Sequence, residues 1–298
     1  MKRFILYILC WMGWFVLSAG NDYSRFLHHL PFDMPQLQLP DIPGNRISLT
    51  EYGGVGDGIT LNTECFREAI EHLSAKGGGT LVVPTGIWLT GPIRLKSHIE
   101  LHLEKNALLI FTSDFWSYPS RSTFFTEVFY RQLQSPISAY NESDIAITGE
   151  GVIDGSGQDW RPVRKNKVTV DEWEHLQRKS GVLNDAGTIW YPMADDVQRY
   201  ARREENIIHK YNTPDEWVRL KDYVRPELMH LYHCERVLLQ GVTFQNSPFW
   251  NLHPELCKHL IVDGVCVRNP WNSQNGDGLD LESCKNALIV NSTFDVGD

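Results

Sequence analysis

Three segments of this chain repeat one pattern of residues. Each begins with a cysteine, continues with two polar residues and a β-favouring apolar run, and reaches a second short apolar run after a Gly or an Asn. The segments are Cys234–Phe244, Cys257–Val267 and Cys284–Phe294, and their starts are 23 and 27 residues apart. A weaker copy begins at Ser143, and another begins at Ser97, which is 46 residues, or two periods, earlier. Similarity at a period of this length indicates stacked structural units.

The repeated units predict an all-β fold. They consist of short strands broken by Gly or Asn, with no helix between them, so each repeat can form one coil of a parallel β-helix (a β-solenoid) whose equivalent residues stack about 4.8 Å apart. The three repeated cysteines would then form an internal ladder of small buried side chains rather than disulfides or metal ligands. The main alternative is a β-sandwich or barrel, which would not naturally keep one residue type at one place in every repeat.

Two regions interrupt the repeat. The first, Thr63–Ser74, predicts a helix, because Phe66, Ala69, Ile70 and Leu73 share one face and Asn62 or Thr63 can cap its first turn. Such a helix can cover the open first coil of a solenoid. The second, residues 158–225, predicts an irregular, partly helical insertion. It is either a solvated excursion or a wall beside an acidic ligand, and its charge counts alone favour the excursion.

The N-terminus predicts export. Lys2 and Arg3 precede an uncharged, mostly apolar run and then small residues, which is the order of a secretory signal peptide over residues 1–20. We expect an N-terminal extension over 21–46, the β-helix domain over 47–298, and a periplasmic, cell-surface or extracellular protein. No later stretch is apolar enough for a stable membrane span.

The charge of the chain disfavours one class of partner. With 28 basic and 37 acidic residues, the net charge of −9 argues against a general nucleic-acid binder, whose affinity comes mostly from neutralised phosphates. An acidic polymer would need a locally basic cleft. We expect a monomer.

Candidate catalytic residues lie late in the sequence. Asp277 and Asp298 are 21 residues apart, close to one coil, so a solenoid can place both carboxylates on one face. Neighbouring carboxylates hold their protons with different strength, which supplies the acid and the base that cleavage of a glycosidic bond requires. Aspartates that merely form turns explain the spacing equally well.

Several motifs resemble glycoside hydrolase family 28, the polygalacturonase family, in its bacterial form. They are Tyr52–Thr63, Gly77–Gly86, Thr90–Ser97, Gly151–Gly155, Arg225-Pro226, Asn246–Trp250, Asn275–Asp280 and Val296–Asp298. The first of these also occurs in pectate-lyase-like β-helices and therefore indicates fold more than activity. The segment Asn275-Gly-Asp-Gly-Leu-Asp280 and the final Gly297-Asp298 are more specific, since they match the family's "NTDGxD" and the start of its "GDD".

The resemblance implies a right-handed parallel β-helix that hydrolyses galacturonide bonds of a pectic oligo- or polysaccharide with inversion, without a cofactor or a metal. It implies that Asp277 helps to activate water and that Asp298 donates the proton. Asn275 and Asp280 would shape the site. Trp250 and His253 could line the sugar path, although a turn or core position explains His253 at least as well.

The family's second paired Asp and its Gly-His-Gly and Arg-x-Lys motifs have no counterpart before the sequence ends at Asp298. We therefore expect a C-terminally truncated hydrolase with impaired activity. Two other functions stay open. One is a pectate-lyase-type enzyme that cleaves by β-elimination with Ca²⁺, which needs a cluster of carboxylates and a basic residue. The other is a non-catalytic carbohydrate-binding β-helix.

Overall fold

The computed structural model describes residues 22–28, 30–125, 128–192 and 225–297. The chain divides into two compact units, Met1–Gln36 and Leu37–Asp298. The described part of the first unit contains one turn of 3-10 helix, Ser24–Phe26. The predicted signal peptide lies outside the described residues, and the predicted domain boundaries stay predictions.

Three parallel sheets run along the described part of the second unit. Sheet 1 contains β1 (Arg46–Ser48), β3 (Gly79–Val83), β6 (Ile99–Leu103), β11 (Ser143–Gly149), β17 (Glu235–Gln240), β20 (Lys258–Asp263) and β22 (Lys285–Val290). Sheet 2 contains β2 (Asp57–Leu61), β4 (Gly86–Thr90), β7 (Ala107–Phe111), β12 (Val152–Asp154), β18 (Thr243–Gln245), β21 (Cys266–Arg268) and β23 (Thr293–Asp295). Sheet 3 contains β5 (Ile93–Arg94), β10 (Ile137–Tyr140), β16 (Met229–Tyr232) and β19 (Leu252–Glu255).

The chain visits the three sheets in a fixed order. Strands β16, β17 and β18 belong to sheets 3, 1 and 2, and β19, β20 and β21 repeat that order beside them. Each round is one coil of a right-handed parallel β-helix, so the predicted fold class is confirmed.

Apolar side chains of successive coils stack inside the helix. Leu101, Ile147, Leu239 and Val262 lie opposite one another on sheet 1, and all four are fully buried. Complete burial of one such side chain stabilises the fold by about 1.5–3 kcal/mol. The repeated apolar positions therefore explain why the coils stack in one register.

The predicted cysteine ladder is present. Cys234, Cys257 and Cys284 precede β17, β20 and β22, whose first residues pair in register. All three are free thiols, and the Sγ of Cys257 donates a hydrogen bond to the carbonyl oxygen of Leu231 at 3.3 Å. A small side chain with a weak donor fits this position because a backbone carbonyl faces it.

The weaker repeats differ from their predicted alignment in two ways. Ser143 lies opposite Glu235 rather than Cys234, because the turn at residues 149–151 has one residue more than its counterpart in the next coil. Strand β6 pairs directly with β11, so the 46 residues between Ser97 and Ser143 form one coil and not two. The extra length includes an antiparallel hairpin of β8 (Ser120–Phe125) and β9 (Val128–Leu133).

Helix α1 (Thr63–Ala75) confirms the predicted helix. Its buried face consists of Phe66, Ala69, Ile70 and Leu73, and these side chains join the core of the first coils. Asn62 occupies the N-cap position, but its side chain forms no capping bond. Instead its amide donates to the carbonyl oxygens of Val55 and Leu89, which ties the helix entrance to the neighbouring strands.

The described part of the predicted insertion, residues 158–192, is partly helical as expected. It contains α2 (Val170–Arg178) and a small antiparallel sheet of β13 (Val163–Arg164), β14 (Val182–Leu183) and β15 (Ile189–Tyr191). The rest of the insertion, up to residue 224, lies outside the described residues. Further short 3-10 helices occur at Leu49–Tyr52, Phe115–Ser117, Gly157–Asp159 and Lys165–Lys167. Among the helices described, none has the length and apolar composition to cross a membrane.

Candidate active site

Sheet 3 carries a row of polar side chains on its outer face. Its strands alternate, so Met229, Leu231 and Leu252 point into the core while His230 and His253 point outward. The pairing register places Arg94, Ser138, His230 and His253 side by side on successive coils. Asp280 continues the row beside His253, because Leu279 and Glu282 form bridges with Leu252 and Glu255. We call Arg94, Ser138, His230, His253 and Asp280 the polar row.

A second row follows two residues later on each strand. It consists of Tyr140, Tyr232, Glu255 and Glu282. Since residues two apart on a strand point to the same face, both rows lie on the outside of sheet 3. The later coils therefore place carboxylates next to the histidines of the polar row.

His253 sits among carboxylates. Its Nε2 lies 3.2 Å from Oε2 of Glu282, and its Nδ1 lies 3.5 Å from Oε1 of the buried Glu227. Burial favours the neutral ring, but hydrogen bonds to Glu227 and Glu282, with the charges of Glu227 and Glu255, outweigh burial and raise the pKa of His253 above its ordinary value. These carboxylates therefore stabilise the imidazolium form of His253 relative to that of an imidazole in water.

Aromatic rings surround His253. The ring of His230 stacks on it, with centroids 4.8 Å apart and an interplanar angle of 19°. Trp250 meets His253 edge-on at 5.0 Å, and Phe249 stacks on Trp250 at 5.0 Å. The structure thus brings together the two residues predicted to line the sugar path, and it gives His253 a place on the outer face rather than in the core.

The loop that leads into the last residue of the polar row is tightly fixed. The backbone nitrogen of Asn251 donates to the carbonyl oxygen of Asp277 at 2.9 Å, and that of Asp280 donates to Leu252 at the same distance. Between these anchors, a Cβ on Gly278 would lie 2.9 Å from the ring of Phe294. Asn275 is exposed and has a φ of 51°, in the left-handed region that Asn tolerates. A side chain at Gly278 would therefore require the ring of Phe294 to shift.

Asp280 differs electrostatically from an ordinary aspartate. Burial, followed by the negative charge of Asp277, raises the pKa of Asp280 to about 6. Its Oδ2 is buried, and no hydrogen-bond partner for it occurs among the described residues. The sequence analysis expected such a difference between Asp277 and Asp298, and that expectation stays a prediction; among the described residues, the raised pKa belongs to Asp280 beside Asp277.

Asp298, the other predicted catalytic residue, lies outside the described residues. The chain just before it follows the preceding coil, since Asp295 pairs with Arg268. A Cβ on Gly297 would approach the carbonyl oxygen of Trp271 to 2.3 Å, so only glycine fits there. The relation between Asp277 and Asp298 stays a prediction.

Two buried arginines hold the wall beside this loop. Arg161 donates to the carbonyl oxygen of Ser247 at 2.5 Å and to Oδ1 of Asn246 at 2.9 Å. Arg225 donates to the carbonyl oxygen of Pro248 at 2.7 Å, and its guanidinium lies 5.2 Å from the centre of the Phe249 ring. Burial, followed by the charge of Arg225, lowers the pKa of Arg161 to about 10. These contacts connect the start and the end of the insertion to the segment that carries Trp250.

The sequence analysis missed four residues of this site. They are His230, Glu227, Glu255 and Glu282. The sequence does contain a signal for three of them, because the repeated cysteines show which residues of successive coils lie side by side. The residues four positions before the cysteines are His230, His253 and Asp280, and those two positions before are Tyr232, Glu255 and Glu282. Glu227 follows the irregular insertion and shares no such spacing.

Comparisons with known proteins agree with this geometry. The family model "Glycosyl hydrolases family 28" matches residues 217–298. A "Probable polygalacturonase" of Vitis vinifera is 29% identical over 260 residues, which cover 84% of this chain and 42% of that protein. An "Exo-poly-alpha-D-galacturonosidase" of Dickeya chrysanthemi is 25% identical over 268 residues, which cover 85% of this chain and 40% of that protein. The chain thus spans less than half the length of these two curated relatives.

Solved structures of polygalacturonases also resemble this chain. A hyperthermoactive exopolygalacturonase from Thermotoga maritima superposes with a TM-score of 0.67 at 33% identity, over 88% of this chain and 55% of that chain. A family 28 exopolygalacturonase from Yersinia enterocolitica superposes with a TM-score of 0.63 at 22% identity, over 86% of this chain and 44% of that chain, and shows the shared fold. The resemblance carried by the sequence motifs is therefore confirmed, and the chain is a relative of glycoside hydrolase family 28.

Proposed function

We propose that this protein is a glycoside hydrolase that cleaves galacturonide linkages of pectic polysaccharide with inversion. The observation that carries the proposal is the placement of Asp277 and Asp280, within a motif of the family, at the end of a row of outward histidines. The named activities of the related polygalacturonases support the same chemistry.

The proposed chemistry needs an acid and a base on opposite sides of the glycosidic bond. An inverting enzyme places its carboxyl groups about 6.5–9.5 Å apart, which leaves room for the attacking water. We assign Asp277 as the carboxylate that activates water and Asp298 as the proton donor. Asp280 would hold its proton to a higher pH than an ordinary aspartate and could donate a hydrogen bond to the sugar. Asn275, His253 and Trp250 would position the sugar.

The remaining assignments belong to the same proposal. Residues 1–20 would direct export to the periplasm, the cell surface or the exterior, where pectic polymers occur. The protein would act as a monomer, with an N-terminal extension over 21–46 and a β-helix domain from residue 47. An insertion over 158–225 would interrupt this domain.

Hydrolysis of polygalacturonate tests the proposal. Reducing ends should be released with inversion at the new anomeric centre, which proton NMR detects directly. Asp277→Asn should lower kcat by about 10²–10⁴, the usual contribution of a general acid or base. Asp185→Asn, an exposed position in the turn between β14 and β15, is the matched control and should keep full activity.

Three results would contradict the assignment. Undiminished activity of Asp277→Asn would remove Asp277 from the chemistry. Unsaturated products whose formation stops when Ca²⁺ is chelated would show β-elimination instead of hydrolysis. Binding of oligogalacturonides without cleavage, unchanged by Asp277→Asn, would favour a non-catalytic carbohydrate-binding protein.

A further inference from the structure

Three potential metal ligands come together in the middle of sheet 3. His230, His253 and Glu255 each contribute one donor atom, and these atoms all lie within 4.8 Å of one another. In one of the three pairs, Nε2 of His230 lies 3.1 Å from Oε2 of Glu255. They come from β16 and β19, which pair in register, so two rigid strands hold all three side chains.

The ligand types favour a borderline transition metal. Imidazole nitrogen and carboxylate oxygen are typical ligands of Zn²⁺, with bonds of about 2.0–2.2 Å. Ca²⁺ prefers oxygen ligands alone, and six to eight of them, so two imidazoles disfavour it. Three protein ligands also leave one coordination position open, as in zinc sites that bind water or another ligand.

One of the three donor separations is already close to that of a tetrahedral site. In a tetrahedral site, two ligand atoms at about 2.1 Å from the ion lie about 3.4 Å apart. Nε2 of His230 and Oε2 of Glu255 are 3.1 Å apart. The two imidazole rings are nearly parallel, so their lone pairs do not yet converge. One ring must turn about its χ2 angle, a torsion with a broad energy profile, to complete the site.

The surroundings supply the negative charge that a divalent ion needs. Beyond the three ligands, Glu282 lies 3.2 Å from Nε2 of His253, and Glu227 lies 3.5 Å from its Nδ1. The side chains of His230, His253 and Glu227 are exposed by only 2%, 7% and 4%. A carboxylate behind a metal-binding histidine orients the ring and raises its basicity, so Glu227 has the place of such an outer partner.

We propose that His230, His253 and Glu255 bind one Zn²⁺ ion on the outer face of sheet 3, with Glu227 orienting His253. The site lies one coil before Asp280, so a bound ion would occupy part of the face that carries the candidate active site. This inference does not depend on the proposed hydrolase function, because it concerns metal binding alone.

Calorimetric titration of the metal-free protein with ZnCl₂ at about pH 7.5, where imidazole is largely deprotonated, tests the proposal. One saturable equivalent should bind. Glu255→Gln, which keeps the size of the side chain, and His230→Gln should each weaken binding at least tenfold. His233→Gln is the matched control, because this exposed histidine on the same coil lies outside the cluster, and its binding should match that of the unaltered protein.

Substitution with Co²⁺ gives a second readout. A tetrahedral site containing nitrogen and oxygen ligands produces intense visible d–d absorption, which should appear with the unaltered protein and be lost in His253→Gln. Circular dichroism without metal shows whether each variant keeps its fold. The proposal would be overturned if no saturable equivalent of Zn²⁺ binds. It would also be overturned if folded Glu255→Gln and His230→Gln bind Zn²⁺ as strongly as the unaltered protein, and surface histidines would then account for any uptake.

Discussion

Replacing Asp280 by asparagine should stabilise the folded protein at neutral pH. The carboxylate is half-buried and feels the negative charge of Asp277, and one of its oxygens is buried without a hydrogen-bond partner among the described residues. Ionised Asp280 is therefore less stable in the folded chain than in the unfolded chain, where water solvates it. Asparagine has nearly the same shape and carries no charge.

The size of the effect follows from the pKa of Asp280, which rises from 3.8 to about 6 on folding. A shift of this size corresponds to about 3 kcal/mol if the site is dry. Because Asp280 is only half-buried, solvent screens part of this energy, and we expect about 1–1.5 kcal/mol. For a raised carboxyl pKa, the penalty is absent below about pH 4, grows as the pH rises towards 6, and is constant above that.

Urea unfolding of the unaltered protein and of Asp280→Asn at about pH 4, 6 and 7.5 measures this difference. The variant should be more stable at pH 7.5, and its advantage should shrink towards zero at pH 4. Asp185→Asn should show no such dependence, since that residue is exposed. An Asp280→Asn protein that is no more stable at pH 7.5, or whose advantage persists unchanged at pH 4, would refute the reasoning.

Two backbone positions give further predictions. Leu256 is 41% exposed and has a φ of 56°, a left-handed conformation that Asn tolerates better than Leu, so Leu256→Asn should raise the stability by about 0.5–1 kcal/mol and Tm by about 2 °C. An unchanged or lower Tm would contradict this. Gly149 has a φ of 110°, and a Cβ there would lie 1.9 Å from the carbonyl oxygen of Leu103, so Gly149→Ala should lower the free energy of unfolding by about 3 kcal/mol. Gly187→Ala, which meets no atom within 4 Å, is its control for packing, and chemical denaturation of both variants measures the difference.

The fold was predictable because the coil repeats a residue type at one place. Cys234, Cys257 and Cys284 recur where a small side chain faces a carbonyl, and the apolar run after each cysteine supplies the buried face of sheet 1. The length of a coil was not predictable in the same way. Residues that leave the β-helix at a turn are not paired with neighbouring coils, so their number is free to vary. This is why 46 residues resembled two periods while forming one coil.

The candidate site was predictable only in part, because its chemistry depends on contacts that cross the coils. The motif identified Asp277 and Asp280, but the raised pKa of Asp280 comes from burial, then from the charge of Asp277, and also from the charges of Glu227 on another coil and of Glu282. His230 and His253 share one column because β16 pairs with β19, yet the column continues as Asp280, so no single residue type repeats along it. A ladder of identical residues serves packing, whereas a ladder that changes from histidine to aspartate along one face places different charges side by side. In this fold, the positions where the repeat keeps its register but changes its residue type are therefore the first places to search for function.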